Sequence, residues 1–233
     1  MLDIEGFLAV RDLAERLEVS EMTVRRDLKR LAGQGHVRLV HGGAAPLHGT
    51  LRTPDFIARA DLAAPAKRTV ASRAAELVGA GDTIAIDAGT TAFALASALP
   101  TELPLRVVTN SVPVLQLMLT RPACHVVVVG GEIIASSQAL VGPLSVTSAH
   151  ALRVQKYFLG AAGVDAEGVY VETDIERPTK LAMMQMAEEV VLLADSEKFG
   201  RFAPVKLCGL GAIDRVVSEY PLPERVGELV RRR

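Results

Sequence analysis

The sequence predicts an α/β protein in two parts: an N-terminal winged helix-turn-helix and a larger Rossmann-like parallel-sheet domain. Three observations predict it. Two short amphipathic helical patterns, a tight turn between them and a hairpin-length stretch fill the chain up to residue 45. From Lys67 onward, short apolar runs alternate with helical patterns, the order that βαβ units require. Those runs are continuous in Val, Ile and Leu, which means strands covered on both faces.

Composition narrows the function classes. The chain has 233 residues, 49% of them apolar and 4% aromatic, with no Trp. That is ample for a core and excludes a mainly disordered chain. The net charge of −1 excludes a uniformly basic nucleic-acid coat but leaves room for a local patch. Cys124 and Cys208 have no CxxC partner, so neither a disulfide framework nor a metal site is expected, and no cofactor is expected either. The opening MLDIEGFLAVRD has acids and no basic n-region, so no signal peptide is expected. No apolar run reaches the ~18 residues of a membrane helix. The expected compartment is the cytoplasm.

The amino-terminal elements follow from spacing. Val10, Leu13, Ala14 and Leu17 stand at i, i+3, i+4 and i+7, one apolar face of a short helix. Glu18 and Val19 make the turn, and Ser20 stands where an N-cap belongs. A second helix runs from about Glu21 to Ala32, with Val24, Leu28 and Leu31 as its buried stripe. Thr23, Arg25, Arg26, Lys29 and Arg30 are left for solvent or a ligand. Gly33 and Gly35 end it, and HVRLVHGG (36–43) is short enough for a hairpin. The charge turns basic at the same point: residues 20–48 hold Arg25, Arg26, Lys29, Arg30 and Arg38 against Glu21 and Asp27. Such a helix enters the major groove with its first turns against base edges, where the Arg fork pairs with guanine O6 and N7. A solvated basic face is the alternative; the coincidence of stripe, cap, turn and hairpin favours DNA.

The stretch VSEMTVRRDLKRLAGQGHVRLVHGGA (19–44) resembles the signature of the DeoR family of bacterial transcription regulators, and residues 10–45 match that family's DNA-binding module. The resemblance places Ser20, Glu21, Thr23, Arg25, Arg26 and Asp27 in the recognition-helix motif, and Arg38, His41, Gly42 and Gly43 in the wing. With Lys29 on the same helix, the candidate DNA-binding residues are Ser20, Glu21, Thr23, Arg25, Arg26, Lys29, Arg38 and His41. Phosphate would repel Asp27, which is expected to pair with a neighbouring Arg. The family's module has a full helix ahead of the one at Val10, where this sequence offers only MLDIEGFLA. That helix is therefore expected to be truncated, at ~1.5–3 kcal/mol for each buried side chain lost.

Residues 46–66 read as a linker. Pro46, Gly49, Pro54 and Pro65 break regular structure, with one short helix around Phe56–Ala60. Residues 67–222 form the larger domain, and 223–233 a final helix. The strands are TIAID (83–87), LRVVT (105–109), HVVVV (125–129), KYFLG (156–160) and VVLLA (190–194). Met183, Met184 and Met186 read as core filler.

At the first strand's end, Asp87-Ala88-Gly89-Thr90-Thr91 runs straight into a helix. Glycine lets the backbone turn sharply, and two hydroxyls with the helix N–H groups can face an anion. This position, the carboxyl end of a parallel strand, is where α/β sheets bind ligands. A plain tight turn is the alternative. No GK[ST] and no GxGxxG is present, so it is neither a P-loop nor a dinucleotide site. Thr109-Asn110-Ser111, Gly130-Gly131-Glu132, Gly160–Gly168 with Asp165, and Ser196-Glu197-Lys198 end the other strands. Lys180 and Lys198 are cations that can answer a phosphate or stand in solvent. The candidate effector-binding residues are Asp87, Gly89, Thr90, Thr91, Asn110, Ser111, Gly130, Gly131, Asp165, Lys180 and Lys198.

The segments KRTVA, AIDAGTT, VVTNS, VVVVGGE, FLGAAGVDAEG, ERPTK and LLADSEKFG, over about residues 67–220, are similar in order to the effector-sensing domain of DeoR-family regulators. That domain is itself similar to ribose-5-phosphate isomerases. The resemblance implies a DNA-binding regulator, a repressor of carbohydrate-metabolism genes, controlled by a phosphorylated sugar. Its partners would be a double-stranded operator and its own copies, as a homodimer or homotetramer reading half-sites ~34 Å apart. The rival is a phosphosugar isomerase, whose base would be Asp87, Asp165 or Glu176. The residues spent on a DNA-reading module weigh against it, and no enzymatic activity is expected.

Overall fold

A computed structural model describes residues 8–33, 37–40, 43–46 and 56–230. The chain divides into two compact units, Met1–Ala58 and Arg59–Arg233.

The first unit contains β1 (Leu8–Ala9), α1 (Val10–Leu17), α2 (Glu21–Gly33), β2 (Val37–Val40) and β3 (Gly43–Pro46). Leu8, Val10, Leu13, Ala14, Val24, Leu28, Val37 and Ala44 form its core, with Leu31 packed at the edge. Leu17 departs from the expected stripe and is 52% exposed. It ends α1, where the chain turns away through Glu18 in the left-handed conformation, φ 53°. The Val19 N–H closes that turn on the Ala14 carbonyl at 3.1 Å. Ser20 caps α2 as expected, its Oγ accepting from the Thr23 N–H at 3.2 Å. The hairpin pairs β2 with β3 antiparallel. β1 adds a third strand, with Leu8 opposite Ala44; two residues are too few to show a period in sequence.

In the larger unit, β4 (Thr83–Ile86), β5 (Leu105–Thr109), β6 (Cys124–Val128), β9 (Val154–Gly160), β12 (Ala187–Leu193) and β14 (Arg215–Val217) form one sheet in the order β14-β12-β9-β4-β5-β6. All its pairings are parallel. Side chains leave each strand alternately to two cores. Ile84, Ile86, Phe158, Val191 and Leu193 pack with α4 (Ala64–Ala75), α5 (Thr90–Ala98) and α6 (Val112–Met118). Ala85, Tyr157, Leu159 and Leu192 pack with α7 (Pro143–His150), α8 (Arg177–Gln185) and α9 (Glu224–Val230). Met183 and Met186 are buried there as filler.

Helix α3 (Phe56–Asp61) lies where the short linker helix was expected, and α4 starts at Ala64, ahead of Lys67. Pro65 does not break α4, because it stands in the first turn, where no N–H is needed. Short strands escaped the sequence reading: the hairpin β7 (Glu132–Ile134) and β8 (Ala139–Val141), and the antiparallel sheet of β10 (Gly163–Asp165), β11 (Gly168–Val171) and β13 (Val205–Cys208). Among the described residues no helix is long and apolar enough to cross a membrane.

Candidate DNA-reading helix and anion site

On α2, Val24 and Leu28 are buried, while Arg25, Arg26, Lys29 and Arg30 are exposed. Arg25 pairs with Glu21 at 3.3 Å and Arg30 with Asp27 at 3.8 Å. Exposed pairs of this kind are worth ~0–1 kcal/mol, so a DNA phosphate can displace either carboxylate. Among the described residues Arg26 and Lys29 have no carboxylate partner. A groove of about 490 Å³ between α2 and β2 joins Arg25, Arg26 and Lys29 to the exposed Met22 and Leu39. Sequence reading passed over Met22, since a lone exposed Met carries no pattern. Arg38 lies on β2, its side chain outside the described residues, as is all of His41.

The second site lies at the carboxyl edge of the six-stranded sheet. Register aligns Ile86 with Phe158 and Thr109, and Leu193 with Gly160. Asp87, Asn110, Gly160 and Asp195 therefore emerge from adjacent strands on one edge. Asp87 is fully buried. Its Oδ2 accepts from the Gly160 N–H at 2.9 Å and from the Lys180 ammonium, while its Oδ1 has no partner. Lys180 is itself buried and also donates to the Gly160 carbonyl at 3.4 Å. Lys180 thus stands at this edge paired with a buried carboxylate.

Asn110 donates Nδ2 to the Leu140 carbonyl at 3.1 Å and leaves Oδ1 unpartnered. Ser111 instead caps α6, accepting from the Val114 N–H at 3.3 Å, so its hydroxyl serves the scaffold. Thr109 Oγ1 donates to the Ile86 carbonyl at 2.7 Å and binds β5 to β4. Glu176, in the loop before α8, has its carboxyl pushed up by burial, against the pull of Lys180. Tyr157 is raised well above its ordinary value by burial first and the Asp87 charge second.

A cationic pole adjoins this pair. Burial lowers the Lys198 ammonium below its ordinary value, with Asp195 pulling the other way. Burial, reinforced by Lys198, takes Lys67 from 10.5 down to about 8. Asp195 is 1% exposed, and neither carboxylate oxygen has a hydrogen-bond partner; burial raises it. Lys67 and Asp195 were missed in sequence. A lysine opening a helix reads as solvated, but LLAD repeats the strand-then-Asp pattern of TIAID, a signal that was available.

Gly89 differs from the expectation of a sharp turn. Its φ is 174°, extended backbone, and a Cβ there would meet nothing within 4 Å. The glycine leaves open space ahead of Thr90 and Thr91 rather than permitting a strained turn. No side chain caps α5, so its first-turn N–H groups face that space with their dipole. Gly131, at φ 137°, is held by packing: a Cβ would lie 2.4 Å from the Val141 carbonyl oxygen. Gly130 accepts from the Ser145 hydroxyl, at the end of the edge strand β6. Asp165 belongs to another sheet, its Oδ1 taking the Glu167 and Gly168 N–H groups at 2.8 and 3.1 Å. Packing accounts for Gly131 and the turn for Asp165, whereas a Cβ at Gly130 would meet nothing within 4 Å.

Buried polar atoms without partners are few in native proteins. Here Asp87 Oδ1, Asn110 Oδ1 and both Asp195 oxygens are such atoms, on neighbouring strand ends. These four are acceptors that suit hydroxyl donors, and the buried Tyr157 hydroxyl, close to Asp87, is likewise without a partner. The lysines and the α5 N-terminus call for an anion.

Comparison with known proteins agrees with the two-part reading. The family model described as the DeoR-like helix-turn-helix domain matches residues 1–50, and that of the DeoR C terminal sensor domain matches residues 63–220. The glycerol-3-phosphate regulon repressor of Escherichia coli (strain K12) is 32% identical over 97% of this chain and 90% of its own. Among solved structures, eIF2B beta from Chaetomium thermophilum matches 72% of this chain and 53% of that one, at 14% identity and TM-score 0.51, which shows the fold alone. A ribose 5-phosphate isomerase A from Methanocaldococcus jannaschii matches 57% and 53% at 20% identity and TM-score 0.42.

Proposed function

The chain belongs to the DeoR family of transcriptional regulators, and from that premise we propose that it is a repressor of carbohydrate-metabolism genes whose grip on its operator is set by a phosphorylated polyol. The observation that carries this reading is the carboxyl edge, where orphaned buried acceptors adjoin a cationic pole. Acceptors without donors suit hydroxyl groups, and Lys67, Lys198 and the open α5 N-terminus suit a phosphate. Gly89, Thr90 and Thr91 are the proposed cradle. Asp87, Asn110 and Asp195 are the proposed hydroxyl acceptors, with Lys180 setting Asp87 in place.

DNA reading rests on α2. Arg26 and Lys29 meet phosphates or bases at once, and Arg25 after leaving Glu21. One recognition helix covers one half-site, so two copies acting together in the cytoplasm complete the reading. Two of the three bases named for the isomerase alternative are already engaged, which leaves it Glu176 alone. Asp165 is spent on its turn and Asp87 is paired with Lys180.

The E. coli relative's name makes glycerol 3-phosphate the first compound to test. Calorimetric titration should show it binding more tightly than either glycerol or inorganic phosphate, with the gain lost in the Thr90→Val/Thr91→Val variant. If a set of phosphorylated sugars bound no better than their unphosphorylated parents, the cradle would be ruled out.

A further inference from the structure

We propose that Lys67 is a latch on the segment joining the sensing unit to the DNA-reading unit: without an anion it holds the Arg59 carbonyl, and an anion at the carboxyl edge draws it away. The inference rests on the phosphorylated-polyol reading and adds to it a route by which the bound ligand reaches the chain leading to α2.

Three observations carry it. First, the Lys67 ammonium donates to the Arg59 main-chain carbonyl, tying the first turn of α4 to the last turn of α3. Arg59 is the first residue of the larger unit, so the bond lies within that unit, at the start of its chain. Second, Lys67 is 5% exposed. A buried ammonium must find an acceptor, and the carbonyl it has chosen is neutral although a carboxylate is near enough to raise its proton affinity. Third, that carboxylate, Asp195, has neither oxygen engaged. Among the described residues it makes no ion pair within the 4 Å of a salt bridge.

One ammonium thus has two seats, one taken and one vacant. Two arrangements close in free energy make a switch that a ligand can bias. The surrounding charge favours release when an anion arrives. Lys198 and Arg59 both lower the proton affinity of Lys67, a positive crowding that a phosphate relieves. With the phosphate seated between Lys67 and Lys198, the Arg59 carbonyl loses this donor and the hold of α4 on the end of α3 weakens. Differential affinity of the ligand for the released arrangement is then the allosteric coupling.

Hydrogen–deuterium exchange on the full-length protein tests the latch. Without ligand, Lys67→Gln should raise exchange several-fold in peptides covering residues 59–64 and leave those covering 83–87 and 190–195 protected. Lys67→Arg should restore protection. Equal exchange of residues 59–64 in wild type and Lys67→Gln, with the sheet peptides protected in both, overturns the latch whatever any ligand does. In wild type, millimolar glycerol 3-phosphate should loosen the same residues; binding by calorimetry without that loosening overturns the anion-driven release and leaves the sensing reading standing. Asp195→Asn, which alters the vacant seat and spares the other, gives an independent arm. It should keep residues 59–64 protected and blunt the ligand response; a wild-type response in it overturns the two-seat account.

Discussion

Lys180 and Asp87 are 6% and 0% exposed, so each is the other's substitute for water. A buried pair contributes little net stability, but removing one partner strands the other at ~3–5 kcal/mol. Lys180→Met should therefore lower unfolding free energy by about that much, and Asp87→Asn added to it should return part of the loss. Urea denaturation of the single and double variants checks this; equal stability of both single variants and wild type would show that the pair is solvated. Lys180 was legible in sequence as a cation near the site. Its burial was not, because a lysine within a helical pattern ordinarily faces water.

Lys67 gives the pH dependence at the same scale. Its ammonium falls from 10.5 to about 8 in the folded chain. Between those values the unfolded chain holds a proton that the folded chain has shed, so this residue's contribution makes stability rise with pH across the window. Anion affinity runs the other way, because the charge that receives the phosphate is lost as pH passes about 8. Glycerol 3-phosphate affinity should fall across that window in wild type and show a flatter profile in Lys67→Gln. Parallel profiles would assign the titration to another group.

Among the elements, α5 shows how the scaffold holds the site. Its amino end opens on the proposed cradle, and its carboxyl end is fixed by a side chain from the loop after α6. Arg121, buried, donates to the Leu99 and Ala96 carbonyls, both at 2.8 Å, satisfying orphaned acceptors and complementing the helix dipole. Arg121→Ala should cost ~1–3 kcal/mol through the stranded carbonyls, with a weaker hold on phosphate as α5 loosens. Thermal unfolding and calorimetry together test this; unchanged values in both would show that water replaces the guanidinium without consequence. The long parallel strands were legible because burial on both faces leaves continuous apolar runs, such as LRVVT and VVLLA. Strands such as Glu132–Ile134 were not, since three residues cannot establish a period. Pro65 misled for a simpler reason: proline breaks a helix interior but suits its first turn.

For the molecule as a whole, a net charge of −1 coexists with DNA reading because one short helix, α2, carries Arg25, Arg26, Lys29 and Arg30 on its exposed face. Its recognition motif was legible since cap, stripe and turn fall within some fifteen residues of sequence. The sensing site was only partly so. Asp87, Asn110, Lys180 and Lys198 stand at strand ends or in short motifs, whereas Lys67 and Asp195 are brought together from opposite ends of the larger unit by the sheet order. Gly131 and Asp165 stand at the ends of elements too, yet packing and turn geometry explain them. Strand-end position alone does not separate a ligand group from a scaffold group; the unpartnered buried atoms of Asp87, Asn110 and Asp195 are what the proposed site adds to it.

The central claim is that a phosphorylated polyol in one unit sets the grip of the other on DNA. Fluorescence anisotropy on the gene's own upstream duplex, with full-length protein at fixed salt, tests it most directly. The account predicts sequence-specific binding that weakens ~5–150-fold when a phosphorylated sugar that binds by calorimetry is added. Specific binding that stays unchanged with every such sugar would contradict it.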